Sequence, residues 1–382
     1  MSAPPLDRSL FPVTAHHTFL NHAGVTPLPQ PAVDEITRCA ADFAQHGSAA
    51  LDPWELQQEA ARASGARLLG AKGPHEVALV KNTTEGLSFV ANGLSWRSGD
   101  RVIVPDREFP SSIYPWLSLG DLGVEVAVID PHGSGWTLPL DRFEAELRRR
   151  PTRLVAVSWV QYARGWRTDL GALATLCHEH GALLCVDVIQ GLGLLPCELE
   201  AWGVDFAAAD AHKWLLGPLG VGLFYVAERN LDLLRPLEPG WASVVHRDDY
   251  DNLELNYDVD ARRFEGGSYN NITIAGMGTS FDLLHAAGVD HVWRHVDHLL
   301  DVLVEGLDGT AFEVSSDRSP CGRSGIVTVT APHLDPAWAV DRLAEQGIVV
   351  AARGGGIRIS PHGYNTVDEI DTVLHALRHL TR

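Results

Sequence analysis

Three scarcities narrow the reading of this 382-residue chain. Cysteine is sparse, with Cys39, Cys177, Cys185, Cys197 and Cys321 scattered and no CxxC pair. That spacing excludes a disulfide-stapled scaffold and reads as reduced thiols in a cytoplasmic protein. Positive charge is in deficit, 30 Lys and Arg against 49 Asp and Glu, for a formal charge of −19. The balance disfavours nucleic acid as a partner, while leaving room for a small anion at a local positive site. Long apolar runs are lacking too, so no membrane span is expected. The opening Met1-Ser2-Ala3-Pro4-Pro5 has no basic stretch leading into an apolar one and does not read as a signal peptide. What is present is 45% hydrophobic and 21% charged residues, in a chain long enough for one large and one small domain.

Apolar strands alternate with helical stretches at a steady rhythm. Strands are expected near residues 76–80, 101–104, 124–129, 154–159, 185–190, 205–209 and 221–226. Helices are expected near 31–44, after Thr83, and after Asp169, whose side chain suits an N-cap. Strand, helix, strand in this order predicts an α/β fold with a doubly wound, mostly parallel sheet. After a looser stretch and a helix near 272–287, a second α/β unit closes the chain: strands near 326–330, 348–352 and 356–360, and a last helix opened by the capping box Thr366-Val367-Asp368-Glu369. The expected division is a large domain at 18–285 and a small one at 286–382, with the leader 1–17 packed on the latter.

One pair of residues carries the chemistry. Residues 205–209 run into Asp210-Ala211-His212-Lys213-Trp214-Leu215-Leu216-Gly217-Pro218. A lysine there is an ordinary surface residue, or it is a desolvated, nucleophilic amine suited to bonding a carbonyl cofactor. Upstream, Asp187 interrupts the apolar strand Cys185-Val186-Asp187-Val188-Ile189-Gln190 near its end. A carboxylate and a lysine on neighbouring strand ends suit pyridoxal phosphate (PLP), the lysine bonding the aldehyde and the acid keeping the pyridine nitrogen protonated. Both fall where ligands enter a doubly wound sheet. Thr83 and Thr84 at a helix start either cap it or bind phosphate. Phe109, in Glu108-Phe109-Pro110-Ser111-Ser112, either packs in the core or covers a flat ring.

These residues resemble the class V aminotransferase family of fold-type I PLP enzymes, which includes cysteine desulfurases, cystine C–S lyases and isopenicillin N epimerase. The likeness runs from about Phe19 to the last helix. It implies that Lys213 carries the cofactor and moves the substrate α-proton, that Asp187 pairs with the ring nitrogen, and that Gln190 contacts the ring hydroxyl. Thr83, Thr84 and His212 would bind phosphate. Asp210 stands where the family often has serine, and a carboxylate there would repel phosphate. Gly267 and Ser268 match a segment that reaches the partner subunit's phosphate, implying a homodimer with shared sites. Phe109 stands where the desulfurases stack a histidine, so stacking is kept and acid–base chemistry lost. Arg358 matches the clamp for a substrate α-carboxylate, against the alternative of a structural ion pair. Asn21, His22, Gln161 and Tyr162 either line the substrate pocket or pack their loops.

One departure separates this chain from the desulfurases, which need a mobile cysteine just before that arginine. Here the loop reads Ala351-Ala352-Arg353-Gly354-Gly355-Gly356. The expected function is therefore a PLP-dependent C–S lyase-type β-elimination on a small amino acid, without persulfide transfer. Transamination and epimerisation begin from the same loss of the α-proton and stay open. A PLP-fold protein that binds without catalysis would tolerate loss of Lys213. A metal site at His291-Val292-Trp293-Arg294-His295 lacks the glutamate of HExxH, and no metal is expected.

Overall fold

The computed structural model describes residues 3–130 and 139–380. After β1 (Thr18–Phe19) come two helices, α1 (Gln30–His46) and α2 (Leu51–Leu69). A seven-stranded sheet follows, built from β2 (Val77–Val80), β3 (Arg101–Pro105), β4 (Glu125–Ile129), β5 (Leu154–Ser158), β6 (Leu183–Asp187), β7 (Phe206–Asp210) and β8 (Gly222–Val226). Its order is β2-β8-β7-β6-β5-β3-β4. Within it β8 alone is antiparallel to its neighbours, so the sheet is mixed but mostly parallel.

The strand sequences explain this placement. In β3, β5 and β6 nearly every residue is buried, as expected of strands covered on both faces. Successive side chains alternate sides. Ile103, Val155, Val157, Leu184 and Val186 join the core on one face; Val102, Val104, Leu154, Ala156 and Cys185 join the core on the other. The helix α3 (Thr83–Gly93) follows β2 directly, its N-terminus capped by Asn82 Oδ1 accepting from Glu85 N at 2.8 Å. The helix Asn271–Ala287 packs against α1 and α2.

The C-terminal unit holds an antiparallel sheet in the order β12-β13-β10-β9, from β9 (Glu313–Val314), β10 (Val327–Thr330), β12 (Ala351–Arg353) and β13 (Gly356–Ile359). The single strand expected at 348–352 is divided. Its first part, β11 (Ile348–Val349), pairs in parallel with β1, whereas β12 turns to pair with β13. Alternation cannot reveal such a change of partner, because both halves read as apolar extended chain. The last helix, Val367–Leu380, carries its capping box: Thr366 Oγ1 accepts from Glu369 N, and Glu369 Oε2 accepts from Thr366 N. The leader docks here as well. Phe11 stacks on Tyr364 at 3.9 Å, Arg8 pairs with Glu369, and Leu6 N donates to Gly363 O. Among the described residues no helix is long and apolar enough to cross a membrane.

Candidate active site

The carboxyl ends of β5, β6 and β7 deliver Ser158, Asp187 and Asp210 to the edge of one cleft, with Ser158 directly opposite Asp187 in the strand register. The cleft measures about 310 Å³ and also takes in Lys213, Phe109, Tyr162, Arg353 and Arg358. It is where a doubly wound sheet places its ligand crevice.

Lys213 lies in the turn after β7. Burial lowers its amine from the ordinary 10.5 to about 8, working against the pull of Asp187, and Arg358 lowers it further. A lysine near 8 is partly neutral at physiological pH and therefore nucleophilic. Its Nζ stands 5.7 Å from the centre of the Phe109 ring, and that ring, 44% exposed, meets Tyr162 edge to face.

Asp187 is only 4% exposed. Its Oδ1 accepts from Ile189 N at 3.0 Å and its Oδ2 from Ser112 Oγ at 2.8 Å. Burial raises its carboxyl above the usual range, opposed by these bonds and by Lys213. Ser112 went unassigned in the sequence, where the Glu108–Ser112 run was read for its aromatic. Glu108 carries no sequence signal either. It is buried beside Ser158, accepts from Ser158 N and Ser158 Oγ, and burial raises it to about 7, with the Asp187 charge adding to the effect. No spacing rule marks it; only the fold brings it behind Asp187.

At the start of α3 the arrangement is reciprocal. Thr83 N donates to Asp210 Oδ1 at 2.7 Å, and Asp210 N donates to Thr83 Oγ1 at 2.9 Å. Asp210 thus ties β7 to the helix start and takes up one of the free amides of the first turn. His212 Nδ1 lies 3.3 Å from Asp210 Oδ2 without hydrogen-bonding geometry and is buried with no partner among the described residues. Gln190 also lines the cleft, with its amide donating to Ala23 O and accepting from Trp214 Nε1.

Arg358 is 3% exposed. Its Nη1 donates to Tyr162 O at 2.7 Å and its Nη2 to Asn21 Oδ1 at 3.1 Å, while Nε is buried without a partner. Among the described residues the structural ion pair left open by the sequence does not form, since both acceptors are neutral. Burial, with the Arg353 guanidinium beside it, lowers Arg358 to about 10.

Three of the expected pocket residues face elsewhere. Asn21 orients Arg358 and does not itself line the cleft. His22 is fully buried, its Nδ1 donating to Ser360 O and its Nε2 accepting from Tyr364 OH. Gln161 is consumed by its own loop: its amide donates to Arg107 O and accepts from Ala163 N and Arg164 N. A short polar loop residue satisfies backbone groups nearby before it reaches a ligand. Gly267 and Ser268 also lie outside the cleft, Gly267 at φ 99° with a Cβ position that would meet Trp241 Nε1.

The class-V aminotransferase family model matches residues 18–373. A probable cysteine desulfurase of Methanothermobacter thermautotrophicus is 32% identical, covering 97% of this chain and 96% of that protein. An uncharacterized aminotransferase of Bacillus subtilis, YcbU, is 29% identical over 96% and 95%. Among solved structures, the apo cysteine desulfurase of Thermococcus onnurineus NA1 superposes with a TM-score of 0.89 at 24% identity, covering 100% of this chain and 98% of that one. The cystine C–S lyase C-DES, in complex with cysteine persulfide, gives 0.89 at 23% identity over 96% and 99%. Both structural likenesses establish the fold.

Proposed function

The chain belongs to the class V aminotransferase family of PLP-dependent enzymes, and from that premise we propose that it eliminates a sulfur substituent from the β-carbon of an amino acid without first transferring sulfur to a cysteine of its own. One observation carries the second half of this reading: among the described residues no cysteine lines the cleft. Cys39, Cys177, Cys185 and Cys197 are buried, and Cys321 opens onto a separate depression with Arg167, Asp169 and Trp202. The loop before Arg358 is a two-residue hairpin turn, Gly354 and Gly355 at φ 58° and 78°, the backbone that a type I′ turn requires. Arg164 Nη2 donates to Gly354 O at 2.9 Å and holds it. Such a turn has no slack with which to carry a nucleophile toward a substrate.

The residues fit the cofactor. His212 Nδ1, which has no hydrogen-bond partner among the described residues, and the Thr84 hydroxyl at the start of α3 would hold the phosphate, against the repulsion of the Asp210 carboxylate 3.3 Å from His212 Nδ1, and Phe109 offers an exposed ring face. When bound, PLP draws electrons from the substrate α-carbon and acidifies its proton. Arg358 binds and orients the α-carboxylate, and its unpartnered Nε supports that role. Lys213, with an amine near 8, takes the α-proton at pH 7–8. Asp187, fixed by Ser112 and Ile189 N, would hold positive charge at the ring nitrogen of the bound cofactor. Gln190, its amide held by Ala23 O and Trp214 Nε1, would lie at the ring edge, and Gly267 and Ser268 would complete the phosphate site of a second copy in a homodimer. Residues 18–285 and 286–382 act as the large and small units. Five free cysteines suit a reducing cytoplasm.

The test is the product formed from a cysteine thioether by purified holoenzyme, without any sulfur acceptor. Pyruvate, ammonium and free thiol are expected, and unchanged in Cys321→Ala. A keto acid retaining the sulfur side chain would mean transamination, racemised substrate would mean epimerisation, and alanine with the thioether's sulfur and its substituent held as a mixed disulfide on Cys321 would restore the desulfurase route. Lack of any turnover, with Lys213→Ala matching wild type, would favour a binding protein.

A further inference from the structure

We propose that the cleft accepts an amino acid whose side chain ends in a second anionic group, with Arg358 holding the α-carboxylate and Arg353 holding that second anion. The proposal rests on the lyase reading above only for the reaction, not for the subsite.

Strand register puts the two arginines together. Ala351 pairs with Arg358, and Arg353 pairs with Gly356. Residues two apart on a strand share a face, so Arg353 lies on the same face as Ala351, whose cross-strand partner is Arg358. The two guanidinium side chains are diagonal neighbours, at positions that lie roughly 7–8 Å apart in an antiparallel pair, and both line the cleft. The turn joining them is fixed at Gly354 O by Arg164, so Arg353 projects from a rigid base.

Charge is left over at this spot. Among the described residues the side-chain bonds of Arg353 and Arg358 all go to neutral acceptors: Ala352 O, Tyr162 O and Asn21 Oδ1. The acids lining the cleft, Asp187 and Asp210, act on Lys213, and Asp210 also lies 3.3 Å from His212 Nδ1; among the described residues neither pairs with Arg353 or Arg358. One α-carboxylate satisfies one guanidinium. The other, at the mouth, is placed to meet whatever the substrate carries beyond its β-carbon, and a planar guanidinium selects a carboxylate, sulfinate or sulfonate by paired hydrogen bonds. A chain of formal charge −19 repels such a substrate at long range, which makes a local positive pair more informative.

The probes are S-carboxymethylcysteine and its neutral isostere S-carbamoylmethylcysteine. In each, elimination breaks the Cβ–S bond. The sulfur leaves with the bonding electrons and is protonated to the thiol, and water converts the remainder to pyruvate and ammonium. The holoenzyme should favour the acid over the amide by about tenfold in kcat/KM, the scale of one charged hydrogen-bonded contact. Arg353→Gln should bring that ratio close to one, mainly through the acid, and Arg353→Lys should recover part of it. Dissociation constants for both probes, read from the visible absorption of the bound cofactor, give the same ratio without turnover. If neither probe is cleaved, the lyase reading falls and the binding ratio alone decides the subsite. Equal handling of the two probes by wild type, equal losses in Arg353→Gln, or binding of neither would overturn the proposal.

Discussion

Lys213 should destabilise the protein that lacks its cofactor, and the size of the effect follows from its surroundings. Its amine titrates near 8 in the fold against 10.5 when unfolded. Below about pH 8 the group is protonated in both states, so the fold bears the full cost of burying an ammonium. Between 8 and 10.5 the folded state releases its proton while the unfolded chain keeps it, and the cost fades as pH rises. At about 1.4 kcal/mol per tenfold change, the displacement corresponds to at most about 3 kcal/mol at pH 7. The side chain keeps some contact with the open cleft, which reduces that figure. Lys213→Met retains length and removes charge, so the variant apoprotein should be more stable than wild type at pH 7. By pH 9.5 the gain should fall to less than half of its value. Urea denaturation of the two apoproteins at both pH values measures this through the midpoint, with unchanged slope as the sign that only stability has moved. A variant no more stable at pH 7, or a gain independent of pH, would refute the argument.

Two further outcomes follow from buried charges. Glu108 titrates near 7 in the fold rather than 4.5, so wild type should lose stability as pH rises from 4.5 through 7, by up to about 3 kcal/mol; Glu108→Gln should flatten that slope in thermal scans between pH 5 and 7, and an unchanged slope would exclude Glu108 as its source. Arg62, fully buried, pairs with the equally buried Glu265, which also accepts from Leu79 N and Tyr269 OH. Arg62→Met leaves that carboxylate without its counter-charge and should cost about 3–5 kcal/mol in urea denaturation.

Much of this site could be read before any fold was known, for a physical reason. Lysine is rare here, only Lys72, Lys81 and Lys213, and the first two form ion pairs at the surface. A third lysine at the end of an apolar strand, with Asp187 ending another, breaks the rule that such strands are uniformly apolar, and exceptions of that kind mark function. Thr83, Thr84 and Phe109 were candidates by their positions after strands and Arg358 through the family resemblance, and all four line the cleft. His22 and Gln161 were not, because a polar residue in a loop reads alike whether it faces a ligand or caps a backbone. Ser112 and Glu108 escaped for the opposite reason. Their importance comes from contacts with Asp187 and Ser158 across 75 and 50 residues of chain, which no local pattern encodes. The division of 348–352 between two sheets was hidden in the same way.

Arg353 shows how one loop can separate two outcomes on one scaffold. Sequence reading noticed only that the stretch before Arg358 lacks a cysteine. The fold adds that the stretch is a tight, pinned hairpin and that an arginine turns from it into the cleft. A thiolate at that place could attack a substrate's sulfur; a guanidinium has no free electron pair with which to do so and is always charged. It can hold an anion, or ease the departure of a leaving group that becomes one. In the proposed reaction Lys213 removes the α-proton, and a substituent held at its far end by Arg353 departs from the β-carbon. The lack of a cysteine in this stretch and the presence of Arg353 are both compatible with the proposed elimination from an amino acid with an acidic side chain.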